Sequence, residues 1–517
     1  VQTPQATSPE KPSAGHPARR IPWGRLAWTA IGLAAANMLL LPVALNSFRY
    51  PLNWVLLGVC GLAAAAELWR HRASWRRWLA PDFWATGLFL AWVALDFSVQ
   101  GFRAGDSLTF RGLLFALAMY LLVRAQTVTA GPATPARPLL VLLACLGVVQ
   151  ALLGMAQYYR PDWLPAAFAP PAIKDVTFRI VGTLENSNQY GAFLALVIPL
   201  AAGLAWGAFG PSLRARLPAL GGLAILLAAL VLPFSRGAQL SLTLGLILAG
   251  GIWALARRRA WLTLGCIAAL TGLCGLAGLF LVRYRDGYFD LAFRGFARAH
   301  LEAVFAGNAQ PNRTARLYFD HDRNGDLDAR DYRFAAHLEE QYTLRLTALY
   351  HTPRTAWADR WRDRYNWNRL LLDDAMAQRV LLAAACFQFW RDDPVWGIGP
   401  GNFLEGLQRY VDCPDFAASV IYLAHSLPLL WLAELGVPGL LMFLSIVAWT
   451  GARLHRRIRE GRAGPWLFFL AWSLLTFLTH QLVDITLWYL PFRYVVPVLF
   501  AIWAGGSEDA PAAGAAA

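Results

Sequence analysis

The chain has 517 residues, 57% of them hydrophobic and only 15% charged, and carries a net charge of +14. A soluble chain of this length would normally have about a quarter of its residues charged, so the shortage excludes an ordinary soluble enzyme and indicates a membrane protein. The positive charge is almost all arginine, with Lys11 and Lys174 the only lysines, and it lies scattered between apolar spans. That distribution argues against nucleic acid and suits lipid heads and phosphates, which arginine grips with two hydrogen bonds.

Residues 1–25 are rich in Pro, Ser and Ala and read as a disordered cytoplasmic tail. They do not read as a cleavable signal, because no small-residue cleavage site follows the first apolar run. Apolar runs long enough to cross a bilayer then follow one another through 26–282. They are Leu26–Leu45, Trp54–Trp69, Phe83–Phe97, Leu108–Val123 and Leu139–Gln157, then Tyr190–Phe209 after a polar, Pro-rich gap. Leu217–Pro233 and Leu240–Ala256 form a close pair, and Trp261–Val282 makes the ninth. A long loop, 283–424, separates these from three more runs within 425–505, near Leu435–Trp449, Trp466–Leu482 and Leu487–Trp503. Residues 506–517 read as a second disordered tail.

Arginines cluster before the first span and after the second, fourth, sixth, eighth and tenth, at positions such as Arg19, Arg76, Arg124, Arg214, Arg258 and Arg456. These are alternate loops, the pattern that marks the cytoplasmic side. Both termini are then cytoplasmic and the 283–424 loop is periplasmic; its own arginines do not conflict, since long loops translocate whatever their charge. The expected protein is an all-α polytopic membrane protein of the bacterial inner membrane. It has about 12 transmembrane helices and a large, mainly helical periplasmic loop after the ninth. Cys60, Cys145, Cys266 and Cys274 fall in apolar runs and read as packing residues, whereas Cys386 and Cys413 lie in the loop, where pairing is open.

Polar residues near the outer ends of the spans carry the chemistry. Arg236 lies in the turn between the seventh and eighth spans. An arginine at mid-bilayer costs about 2.5–3.5 kcal/mol on insertion scales, so one at the membrane edge faces protein, a polar cavity or the interface. It is either a snorkelling residue or a fixed cation for a lipid-borne phosphate. Arg379 opens an amphipathic stretch, Val380–Trp390, that leads to Gly397-Ile-Gly-Pro-Gly401. His425 is the only histidine that opens an apolar helix from the periplasmic side, as a packing residue or as a base active near neutral pH. His480 and Asp484 stand at i, i+4 and read as an intramembrane hydrogen bond that fixes helix packing.

Four segments occur in a telling order: Gly182-Thr-Leu-Glu-Asn-Ser-Asn188, Ser235-Arg-Gly237, Pro394-Val-Trp-Gly-Ile-Gly-Pro-Gly-Asn-Phe403 and His425-Ser-Leu-Pro-Leu-Leu-Trp-Leu-Ala-Glu-Leu-Gly436. Their order and spacing resemble the O-antigen ligase and O-antigen polymerase superfamily of membrane glycosyltransferases. This chain has Ser426 where that family usually has Asn after the histidine. The resemblance implies an inverting glycosyl transfer at the periplasmic face with no catalytic cofactor or metal. The donor is a polyisoprenyl-diphosphate-linked glycan and the acceptor a hydroxyl of a glycan or glycolipid, lipid A-core or similar. Carried over by position, Arg236 and Arg379 hold the diphosphate and His425 activates the acceptor. Arg179, Asn188, Asn402 and Glu434 are the expected substrate contacts. Membrane lipids are the remaining partners expected, and the chain is expected to act as a monomer. A polymerase or a protein O-oligosaccharyltransferase of the same superfamily would differ only in acceptor. A lipid-linked glycan flippase is the rival from another class, but repeated halves with broken helices, common in transporters, are not seen in the sequence. A calcium-dependent scaffold that kept the fold and lost activity is a third reading.

Within the loop, Asp320-His-Asp-Arg-Asn-Gly-Asp-Leu-Asp-Ala-Arg-Asp331 fits an EF-hand-type calcium loop. Side-chain oxygens of Asp320, Asp322, Asn324, Asp328 and Asp331 fall at ligand positions, Asp326 offers its backbone carbonyl, and Gly325 allows the sharp bend. The expectation is a structural Ca2+ in the loop. The alternative, that Asp320-His-Asp322 is the Asp-x-Asp metal site of other lipid-linked glycosyltransferases, meets the objection that those place it in the first outer loop.

Overall fold

The structure, a computed structural model, describes residues 23–41, 81–100, 136–160, 163–168, 180–184, 186–207, 213–233, 235–257, 374–410 and 424–505. It also describes short pieces between 51 and 69 and between 116 and 124, and residue 265. Among the described residues the secondary structure is helical and contains no strand. The helices are α1 (Trp23–Leu40), α2 (Pro81–Gln100), α3 (Ala136–Tyr159), α4 (Ser187–Trp206), α5 (Leu213–Ala229) and α6 (Arg236–Arg257). After the long loop come α7 (Asp374–Asp392), α8 (Phe403–Tyr410), α9 (Leu427–Arg459), α10 (Pro465–His480) and α11 (Leu490–Gly505).

Among the described residues, four segments are long and apolar enough to cross a membrane: Pro138–Tyr159, Ser187–Trp206, Arg236–Arg257 and Leu427–Arg459. Shorter apolar helices accompany them. All but residue 265 of the ninth expected span and most of the loop, with the whole of Asp320–Asp331, lie outside the described residues. One boundary differs in an informative way. The tenth apolar run starts at Leu435, but α9 starts at Leu427 and is interrupted at Gly436, whose φ of 67° is not helical. Pro438, with no N–H to donate, follows the break, and the Val437 N–H donates instead to the Pro394 carbonyl at 2.9 Å.

The core forms around α4, which is buried along most of its length from Ser187 to Gly203 and packs against α3, α5, α6 and α10. Apolar burial gives little drive to bring helices together in lipid, so close packing and interhelical hydrogen bonds take over. The α6–α10 crossing has both. Ala238, Ser241, Gly245 and Ala249 place small buried residues along α6. A Cβ on Gly245 would lie 2.3 Å from the Thr476 hydroxyl oxygen and 2.6 Å from the Thr476 backbone nitrogen. The Thr479 hydroxyl donates to the Ser241 carbonyl at 3.1 Å, and Trp472 Nε1 to that of Leu242 at 3.0 Å. The Ser473 hydroxyl reaches α4, donating to the Leu196 carbonyl at 2.6 Å. Gly245→Leu is expected to destabilise the bundle by about 1–3 kcal/mol through overpacking. A lower melting temperature in detergent would register it, and an unchanged melt would contradict this crossing.

Cys145, expected to pack, is instead exposed on α3. The neighbours of α3 are met by residues such as Leu140, Leu143, Ala144 and Ala151. A thiol behaves as a small apolar group, so a lipid-facing position suits it. Cys60, Cys274 and Cys266 fall outside the described residues.

Candidate active site

The Gly-rich segment is a turn laid against the break in α9. The Ile398 N–H donates to the Ala433 carbonyl at 2.9 Å, and the Gly399 N–H to that of Glu434 at 3.1 Å. Gly397 has φ 69°, and a Cβ there would come within 2.4 Å of the Ala433 carbonyl oxygen. A Cβ on Gly436 would come within 2.1 Å of the Val395 oxygen. Backbone conformation and close approach therefore both require glycine at these two positions. Glu434 is buried, and its Oε1 accepts the N–H of Phe403 at 3.3 Å. A carboxylate there complements the N-terminus of α8. The Asn402 side-chain amide donates to the Ile398 carbonyl at 2.9 Å. Asn402 and Glu434, both expected to meet substrate, thus brace the turn and the start of α8.

A second loop is held from α3. Gln157 accepts the N–H groups of Val181 and Gly182 at 3.2 and 2.8 Å. Its own amide donates to the carbonyls of Gly182 and Phe168 at 2.7 and 2.9 Å. Gln150 accepts the Thr183 N–H at 3.1 Å and donates to the Thr183 hydroxyl at 2.7 Å and to the Leu39 carbonyl. Asn186 then caps α4 by accepting the Gln189 N–H at 2.8 Å. Asn188 sits half-buried in the first turn of α4, and Arg179 lies outside the described residues. Sequence reading passed over Gln150 and Gln157, although two amides seven residues apart share one face of a helix that is otherwise apolar.

His425 and Asp484 meet just beyond the end of α10. α10 stops at His480, and residues 481–485 form a turn stitched to neighbouring elements. The Leu427 N–H donates to the Gln481 carbonyl at 2.8 Å, tying the start of α9 to this turn. Within the turn, the Gln481 amide donates to the Thr486 hydroxyl at 2.5 Å and its oxygen accepts the Leu487 N–H at 3.3 Å. The result is a pair that sequence reading missed: His425 Nδ1 lies 3.4 Å from Asp484 Oδ1, across 59 residues of sequence. The same carboxylate oxygen accepts the Ile485 N–H at 2.8 Å. Burial pushes the Asp484 carboxyl up, but the hydrogen bond from His425, the charges of His425 and His480 and the Ile485 N–H together hold it below its ordinary value. The expected His480–Asp484 hydrogen bond is corrected by this arrangement. The Asp484 N–H still donates to the His480 carbonyl at 2.9 Å, but its carboxylate turns to His425 and the Ile485 N–H, and His480 Nδ1 is buried with no hydrogen-bond partner among the described residues.

Of the two expected phosphate-binding arginines, Arg236 lies on an element whose first turn reaches Val483 and His480. Arg236 is half-buried and is the first residue of α6. The next residue, Gly237, explains the close approach: a Cβ there would stand 3.0 Å from Val483 Cγ2 and 3.7 Å from His480 Nε2. Arg379 is half-buried within α7 rather than at its start, and its charge acts on His480. α7 packs on α9, with Leu382, Ala385, Cys386 and Phe389 buried on it. Cys386 is a free thiol among the described residues, and Cys413 lies outside them.

Fold and site together give a helical membrane protein in which a histidine–carboxylate pair forms at a turn that the start of α6 also approaches. Residues 221–444 match the family model described as O-Antigen ligase, which supports a likeness to the O-antigen ligase and polymerase superfamily. The match includes Arg236, Arg379, the Gly-rich turn and His425; Asp484 and the 180–188 loop lie outside it. No curated protein matches the chain.

Proposed function

We propose that the chain is an O-antigen ligase-like glycosyltransferase, moving a glycan from a polyisoprenyl-diphosphate donor to an acceptor hydroxyl of lipid A-core or a similar glycolipid. Its active site faces the periplasm and both termini the cytoplasm, a reading supported by the alternation of arginine-rich loops. The observation that carries the function is the pairing of His425 with Asp484 on the turn that α6 also reaches. With Nδ1–H directed at the carboxylate, Nε2 becomes the basic nitrogen. The carboxylate fixes the ring's tautomer and stabilises the imidazolium that proton uptake creates.

In the proposed step the acceptor oxygen attacks the anomeric carbon and its proton passes to His425 Nε2. The bond from the anomeric carbon to the phosphate oxygen breaks, and the electron pair leaves with the diphosphate. A single displacement inverts the anomeric centre. Arg236 and Arg379 offset the charge that grows on the leaving group, an effect largest where water is scarce. Deleting the gene and analysing the glycans tests the reading: polymer still attached to its lipid carrier should accumulate while the acceptor stays bare. Unchanged glycans and unchanged lipid-linked pools would refute it.

For the loop, the spacing of Asp320, Asp322, Asn324, Asp326, Asp328 and Asp331 supports a bound Ca2+ that folds this segment and takes no part in catalysis. Asp320→Ala combined with Asp322→Ala should lower the melting temperature and remove its response to calcium. Identical wild-type melts with and without chelator would count against a structural ion.

A further inference from the structure

His480 is the one titratable residue at the described turn to which the proposed reaction assigns no task. It is 2% exposed, and its Nδ1 is buried with no hydrogen-bond partner among the described residues. Buried polar atoms are nearly always paired, so an unpaired imidazole nitrogen needs a reason. The groups around it supply one. Asp484 and Arg379 both act on it electrostatically, and its Nε2 faces the first turn of α6 at Gly237. On α7, Arg379 Nε is likewise buried with no partner among the described residues. Two unpaired nitrogens on separate elements, with the N-terminus of α6 beside His480, are donors suited to phosphate oxygens. Asp484 would by itself repel an anion, but it is engaged with His425 and the Ile485 N–H.

We propose that His480 is a further substrate-contacting residue, donating an N–H to an oxygen of the donor's diphosphate beside Arg379. The assignment rests on the transferase reading above. Anionic lipid headgroups share the same chemistry, so the test separates the two sources. Full-length protein in detergent micelles is titrated with undecaprenyl diphosphate and, separately, with phosphatidylglycerol, and each variant's melting temperature is recorded. His480→Phe, which removes the donor, should weaken diphosphate binding by about tenfold or more, whereas His480→Gln, which keeps an N–H, should stay within about threefold of wild type. Phosphatidylglycerol binding should be the same in all three proteins. If His480→Phe does not insert or melts early, His480→Met makes the same deletion in a slimmer side chain. Equal diphosphate affinity in wild type and the donor-less variant overturns the assignment and leaves the transferase reading intact. A loss confined to phosphatidylglycerol, or an equal loss in His480→Gln, also overturns it. Failure of wild type to bind the diphosphate at all removes both.

Discussion

Asp484→Asn is expected to lower glycan transfer by about 10²- to 10⁴-fold while the protein inserts and binds its donor as wild type does. The amide keeps the shape of the carboxylate but removes the charge that steadies an imidazolium. His425→Ala should remove transfer to at least the same extent, because the acceptor proton then has no positioned base. Since both changes disable one unit, the double variant should be hardly worse than His425→Ala alone. Single-turnover transfer with purified protein would show this, and full transfer by Asp484→Asn would exclude the pair as the base. A lesser effect concerns acid stability. The Asp484 carboxyl is held below its ordinary value in the folded protein, so its contribution to stability is complete at neutral pH. That contribution should disappear as pH falls through the lowered native value, and Asp484→Asn should lack this acid-dependent part. Melting curves recorded down a pH series would show the difference.

The second large effect belongs to the arginines. Arg236→Ala and Arg379→Ala should each cost about 10²- to 10³-fold in turnover, the usual scale for removing one group that meets charge only as it develops. Lysine should rescue poorly at either position, because an ammonium cannot reproduce the planar fork that matches two phosphate oxygens. Both variants should remain inserted, since Arg236 begins its helix and Arg379 is only half-buried. Turnover close to wild type in both alanine variants would leave the diphosphate without its proposed ligands.

Much of the helical frame was legible in the sequence, because membrane spans advertise themselves by length and apolar continuity. The runs around Leu139–Gln157, Tyr190–Phe209 and Trp466–Leu482 became α3, α4 and α10 with ends shifted by a few residues. Motif order led to Arg236, Arg379 and His425; among these, the structure pairs His425 with Asp484 at a turn approached by the start of α6, which Arg236 opens. Three features were hidden for physical reasons. The partner of His425 is 59 residues away, and no periodicity reports a contact between two helix ends. The end of α10 at His480 is marked by neither glycine nor proline, so Asp484 seemed to continue the helix. Glu434 reads in the sequence only as a substrate contact, and it takes the position of Phe403, 31 residues away in sequence, to reveal its bond to that N–H.

The most direct measurement uses full-length protein, an undecaprenyl-diphosphate-linked glycan and a glycolipid acceptor, following release of undecaprenyl diphosphate alongside glycan transfer. Wild type should release one diphosphate for each glycan transferred, and His425→Ala should release none above background. Equal release and transfer by His425→Ala would contradict the assignment of His425, supported by Asp484, as the base of this reaction.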